Sequence, residues 1–115
     1  MFLDSADGKL EVRFNFYTLY IYELEFNGHD LIKDVYGNGT VTMDGGELAF
    51  DFASVNWSAI TKAIWAGARC ANPSLPRFAE WASRDNGIDL FSAAPDVIGE
   101  INKELFRFGV AAVSE

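Results

Sequence analysis

His29, Asp30 and Asp34 put an imidazole and two carboxylates on adjacent turns of a short predicted helix, the spacing of a metal-ligating set. Three ligands with no second cluster are too few to define a centre. The plainer reading has Asp30 at the helix start, where its charge meets the positive end of the helix dipole. Cys70 is the one thiol, and a nucleophilic thiol needs an electropositive setting. No histidine lies near it in sequence, and Arg69 points elsewhere on a helix, so Cys70 reads as a small residue at a helix end. Glu23 and Glu25, with Asp30 and Asp34, supply carboxylates for acid–base work, but a pair becomes catalytic only where a cleft separates its pKa values. Glu23 is the odd one, a charge inside an apolar run. It either faces solvent or meets a buried cation such as Lys62, Arg69 or Arg107, and a structural ion pair or helix-end contact is preferred over catalysis. Gly37-Asn38-Gly39 lacks the length and the following Lys-Ser/Thr of a phosphate loop. Trp57, Trp65 and Trp81 read as packing residues rather than a ligand cage, the first two on nearly one helical face. No catalytic constellation forms, so the chain is expected to be no enzyme and to need no cofactor or metal.

The elements that must carry these residues are mostly helical. Residues 1 to 8 are polar and read as a frayed, flexible start. Lys9 to Phe14 alternates, with Leu10, Val12 and Phe14 on one face, as a short strand does. Asn15 to Phe26 fits two descriptions. Its aromatic and β-branched content favours a strand. Asn15 as N-cap and Asn27-Gly28 as stop favour a helix, apolar almost all round, that needs burial or a partner. His29 to Val35 makes a second short helix. Thr40 to Met43 and Leu48 to Phe52 flank Asp44-Gly45-Gly46 as a small hairpin.

Ser54 to Ala71 is the clearest helix, capped by Asn56 or Ser54, with Trp57, Ile60, Ala63, Ile64, Ala68 and Ala71 at three- and four-residue steps. Ser74 to Arg84 forms a further helix with Pro76 near its first turn. A last helix runs from about Ala94 to Ala112, with Ser92 or Ala93 before it and Val97, Ile98, Ile101, Leu105 and Phe108 at helical spacing. The fold class is therefore mainly α: one small helical domain over 1–115 with a short N-terminal strand and a small β-hairpin.

At 115 residues the chain can bury roughly two-thirds of its unfolded surface. Seventeen acids against nine bases give a net charge of −8, which opposes binding to phosphate backbones and to anionic membranes. One cysteine permits no internal disulfide and fits a reducing cytoplasm. The opening residues form no secretory signal, and no apolar run is long enough to span a bilayer. Ten Phe, four Tyr and three Trp are many for this size. Some rings are expected at the surface to meet a partner, and Tyr17, Tyr20, Phe106 and Phe108 are the candidates.

The order of residues resembles one family. Asn15, Phe16, Leu19, Tyr22, Glu23, Glu25, Phe26, Asp30, Ile32, Asp34, Val35, Tyr36 and Gly37 follow a pattern that opens the tail assembly chaperones of siphophages and of prophages in Gram-positive bacteria. NWSAITKAIWAGAR at 56–69, PSLPRFAEW at 73–81, IDLF at 88–91 and DVIGEINKELFRF at 96–108 continue the likeness in order, and 40–53 does not take part. Tyr36 stands where Phe is common, Phe91 where Trp is, and Leu105-Phe106-Arg107 where Phe-Phe-Arg is. The resemblance implies a helix at 15–26 and a non-enzymatic role. Such chaperones bind the tape measure protein, keep it soluble, help recruit tail tube protein, and leave before the tail is finished. The implied setting is the cytoplasm of a bacterial host, with no retention in the mature virion. A frameshifted longer form of the same chain is an implied partner, as is self-association into a homo-oligomer, and this chain corresponds to the shorter form. The competing expectations are a virion structural protein of the tail or head–tail junction, and a small ligand-binding domain or enzyme.

Overall fold

The computed structural model describes residues 1–37, 41–44 and 47–106, with side chains outside 41–50. The chain is mainly α. Two antiparallel strands, β1 (Phe2–Ser5) and β2 (Gly8–Glu11), lead into α1 (Phe16–Glu25) and α2 (Leu31–Tyr36). A second antiparallel pair follows, β3 (Val41–Asp44) and β4 (Glu47–Phe50), with Val41 opposite Phe50. A 3₁₀ turn at Phe52–Ser54 then leads to α3 (Trp57–Ala71), α4 (Phe78–Ala82) and α5 (Leu90–Ile101), which passes into a π-helical turn at Asn102–Phe106.

α3 is the central element, packed by α1, α2, α4, α5 and β2. Ile60, Ala63, Ile64, Trp65, Ala66 and Ala68 are all buried along it. Leu31 and Val35 of α2 and Val97, Ile98 and Ile101 of α5 close the core. Gly67 lets the chain entering α1 approach closely: the Arg13 N–H donates to the Gly67 carbonyl at 3.0 Å, and Val12 and Phe14 lie against the glycine.

The helix reading of 15–26 is the one the chain adopts, and the caps explain why. Asn15 Oδ1 accepts from the N–H groups of Tyr17 (2.9 Å) and Thr18 (3.2 Å), and Thr18 Oγ1 accepts from Asn15 N–H at 3.1 Å. Donors left orphaned by the first helical turn are thereby satisfied. Thr18 Oγ1 also donates to the Arg13 carbonyl at 2.6 Å, which is how a threonine comes to be fully buried. Asn27 (φ 56°) and Gly28 (φ 83°) end the helix in left-handed conformations that few other residues adopt readily. Asp30 caps α2 through Ile32 and Lys33, so His29 stands just outside that helix.

Several boundaries differ from expectation. β2 ends at Glu11, short of Phe14, and α2 runs from Leu31 to Tyr36 rather than from His29 to Val35, because Asp30 takes the cap. Residues 1 to 8 are not frayed: Phe2–Ser5 pairs with Gly8–Glu11, burying Leu3 and leaving only Ala6-Asp7 to turn. The central helix starts at Trp57 rather than Ser54, because Asn56 takes the cap and 52–54 winds as the 3₁₀ turn. The expected helix at 74–84 shrinks to Phe78–Ala82. The Pro76 carbonyl accepts from the Trp65 indole N–H at 2.9 Å, holding the preceding link in a loop. The last helix begins four residues early, at Leu90, because Asp89 caps it through Ser92. Pro95 then lies inside α5 and gives up one helical hydrogen bond on the exposed side. Asn102, at the α-to-π junction, is buried with its Oδ1 unpartnered. The expected helical course beyond 106 lies outside the described residues. Among the described residues, no helix is long and apolar enough to cross a membrane.

Candidate functional site

α1 inverts the usual division of a surface helix. Its buried residues are Thr18 and Tyr22, whereas Phe16 (80% exposed), Tyr17 (61%), Tyr20 (53%) and Leu24 (64%) stand outward. Half of the described large apolar side chains that are exposed belong to this one helix. Residues 17, 20 and 24 follow helical steps, so Tyr17, Tyr20 and Leu24 form one stripe, and the Tyr17 and Tyr20 rings sit 6.0 Å apart. Inward, Leu19, Ile21 and Phe26 join Thr18 and Tyr22 against the core, and α3 is the main element they meet. The Tyr22 ring packs edge-on against Phe26 at 4.7 Å, and Phe26 in turn meets Trp65 and Phe78.

Beside the stripe runs an open groove of about 420 Å³. Tyr17, Ile21 and Leu24 form one wall. Trp65 and Arg69 of α3, with Pro73 and Arg77 of the link into α4, form the other. Arg69 Nη1 donates to the Leu75 carbonyl at 2.7 Å, and its guanidinium lies over the Trp65 ring. Glu25 anchors the opposite end. One carboxylate oxygen accepts from Arg77 Nε and Nη2, and the other accepts from the Phe78 backbone N–H.

A second aromatic surface lies elsewhere. The rings of Phe52 and Phe91 stack 4.3 Å apart, with Trp57 6.3 Å from each. Phe91 is mostly exposed.

The sequence candidates divide accordingly. Tyr17 and Tyr20 lie together on the exposed face of α1. Phe106 is far from them in the chain and packs edge-on against Tyr36 at 5.7 Å. Phe108 and Arg107 lie outside the described residues. Trp65 and Trp81 are core residues, while Trp57 is half-buried in the Phe52–Phe91 stack, so Trp57 and Trp65 serve different neighbourhoods. The ion pair expected at Glu23 is made at Glu25: Glu23 is exposed and pairs with no cation among the described residues. The helical turn carries residue 23 outward, whereas residue 25 faces the α4 start.

The chemical groups are similarly spent on structure. His29 Nδ1 lies 3.6 Å from Asp34 Oδ2, the oxygen that also accepts from the Tyr22 hydroxyl at 2.8 Å. Burial, and then this hydrogen bond, raise the Tyr22 hydroxyl far above the ordinary phenol range. Burial alone raises Tyr36. Hydrogen bonds from Ser92 lower the Asp89 carboxyl, as expected of a helix cap. Cys70 Sγ donates to Asn15 Oδ1, at 3.6 Å. Among the described residues no group of three or more His, Cys, Asp or Glu is placed to hold a metal ion.

Residues that sequence reasoning did not single out for binding are Phe16 and Leu24 on α1, Arg77 at the groove, and Phe52 and Phe91 in the stack, while Arg69 was named as a possible cation for Glu23. The available signal for the first group was the helix that is apolar all round, which cannot bury every side. No family model matches the chain, and no curated protein and no solved structure matches it either.

Proposed function

We propose that this chain is a non-catalytic binding protein that shields a helical client, in the manner of a phage tail assembly chaperone acting on the tape measure protein. The observation that carries the reading is the exposed apolar stripe of α1, a cost in solubility that a protein bears where a partner covers it. A net charge of −8 keeps such a surface soluble while it waits. The ordered likeness over most of residues 14 to 110 supports this choice of client and carries three further proposals. These are tail tube recruitment, a frameshifted longer form as companion, and release before the virion is complete.

Co-expression with the tape measure protein of the same phage or prophage tests this. The expected result is co-purification at low salt and a larger soluble fraction of the tape measure. Absence of binding by the wild-type chain overturns it. Presence of the chain in purified mature particles replaces the chaperone with a virion component. A slippery heptamer in the gene's 3′ region, followed by an overlapping frame, supports the longer companion form.

A further inference from the structure

The binding role proposed above leaves the occupant's chemistry open, and the geometry points to one: an acidic amphipathic helix. It lays an apolar stripe along Tyr17, Ile21 and Leu24 and sets its carboxylates against Arg69 and Arg77.

The apolar half of the argument is shape. The groove is open along its length and walled by a helix, so a second helix can pack its side-chain ridge between the α1 ridge and the α3–α4 link. Trp65 closes the floor, held by its bond to Pro76. A preformed wall needs little reordering on binding, which favours affinity.

The polar half is charge. Seventeen acids outnumber nine bases across the chain, yet two arginines converge on this groove. Glu25 is the one carboxylate among the lining residues, and it is turned inward: its side chain is 15% exposed against 79% for Arg77, and both its oxygens are occupied. Arg69 commits one guanidinium nitrogen to the Leu75 carbonyl and makes no ion pair among the described residues. An approaching partner therefore meets Arg69, which no described carboxylate pairs, and the Nη1 that Arg77 keeps beyond its pair with Glu25, both of them donors suited to carboxylates. A second copy of this chain brings −8 against −8 over its whole surface, and a nucleic acid brings a continuous run of phosphates, whereas a short acidic helix brings only the few carboxylates that the two arginines meet. A basic helix is turned away locally by Arg69 and Arg77.

Two labelled synthetic peptides of about 18 residues, the length of a five-turn helix, separate the alternatives. Both carry Leu at i, i+4, i+7 and i+11. One has Glu at the flanking positions and the other has Lys. Fluorescence anisotropy is measured against the wild-type chain, Tyr17→Asp, Leu24→Asp, and Phe91→Asp as a variant outside the groove. The Glu peptide is expected to bind wild type and Phe91→Asp alike. It should bind Tyr17→Asp and Leu24→Asp about tenfold more weakly, as for anchors at the centre of an interface. The Lys peptide is expected to bind wild type at least about tenfold more weakly than the Glu peptide, and salt should weaken the Glu peptide.

Tyr17 and Leu24 are exposed, so their variants are expected to fold, and the peptide swap probes charge with no change to the protein. Equal or tighter binding of the Lys peptide overturns the inference, as does unchanged binding by Tyr17→Asp and Leu24→Asp. Displacement of the Glu peptide by an equal concentration of a single-stranded oligonucleotide overturns it too. Capture of the tape measure protein that survives Leu24→Asp removes the groove and leaves the client reading standing. Glu-peptide binding with no capture of the tape measure does the reverse.

Discussion

Glu25 and Arg77 are 52 residues apart in sequence and meet at 3.1 Å, with the other oxygen of Glu25 accepting the Phe78 N–H at 2.9 Å. Phe78 is the first residue of α4, and Arg77, in the N-cap position, makes no side-chain cap of its own. A carboxylate on α1 therefore caps α4 and ties it to α1. Replacing Glu25 by Ala leaves a helix N-terminus without its acceptor and should cost about 1–2 kcal/mol, the usual loss for a cap. Glu23→Ala, two residues away and exposed, should change stability by no more than about 0.5 kcal/mol. Urea denaturation of the two variants distinguishes them, and equal midpoints would show that the cap carries no stability.

That pair also marks how far the sequence could be read. The helical class of the chain was legible, and so were Asn15 and Asn27-Gly28 as a candidate cap and stop, since caps and left-handed stops are local chemistry. The helix at 15–26 itself was not, because its aromatic and β-branched content leaned towards a strand. Nor was the face of α1. Seven aromatic and aliphatic residues share α1 with Thr18, and nothing local says that the threonine is buried beside Tyr22 while Phe16, Tyr17, Tyr20 and Leu24 stand outward. Its burial depends on the Arg13 carbonyl, itself positioned by Gly67 far along the chain. β1 was missed because four residues with Asp4 and Ser5 among them carry little alternation. The groove was illegible for the same reason as the Glu25–Arg77 pair: it is assembled from residues 17 to 25, 65 to 73 and 77, and no spacing rule joins them.

Two glycines should respond oppositely to alanine. A Cβ on Gly67 would sit 3.1 Å from the Phe14 ring and 3.2 Å from Val12 Cβ, and both neighbours are buried. The helix-propensity gain of about 1 kcal/mol is set against overpacking of about 1–3 kcal/mol, so Gly67→Ala is expected to destabilise. Gly99 lies on the exposed side of α5 with nothing within 4 Å of its Cβ position. Gly99→Ala should gain about 0.5–1 kcal/mol. Thermal melts of the pair give the signs, and a stabilised Gly67→Ala would contradict the tight approach of the chain before α1.

Alkaline pH should unfold this protein through its buried phenols. Burial, then the hydrogen bond to Asp34, raise Tyr22, and burial raises Tyr36. In the unfolded chain both ionise near pH 10. Above that pH the unfolded state holds fewer protons than the native one, so stability falls as pH rises; below it the contribution is whole. Urea midpoints for wild type should therefore decline above about pH 10 more steeply than those of Tyr36→Phe, which has no phenol to ionise there. Tyr22→Phe should show a shallower decline too, from a lower start, because Asp34 loses the 2.8 Å donor. Parallel curves for all three proteins would mean that neither hydroxyl stays protonated in the native state.

Phe16 and Tyr20 test whether the α1 stripe is kept for binding rather than folding. Both are more than half exposed, Phe16 by 80%, so Phe16→Glu and Tyr20→Glu remove little buried area. Each also adds an acid in a helix that lacks one in its first turn, where Phe16 lies and a negative charge is favourable. The double variant should melt within about 0.5 kcal/mol of wild type, the range of surface substitutions. It should be less prone to aggregate, because the exposed apolar patch is interrupted. If the stripe exists for a partner, the same variant loses its client in a pull-down while its fold is intact. Such separation of stability from binding is the mark of a surface retained for function. A double variant that unfolds would instead make these rings part of the fold, and one that binds as wild type would place Phe16 and Tyr20 outside any partner's footprint.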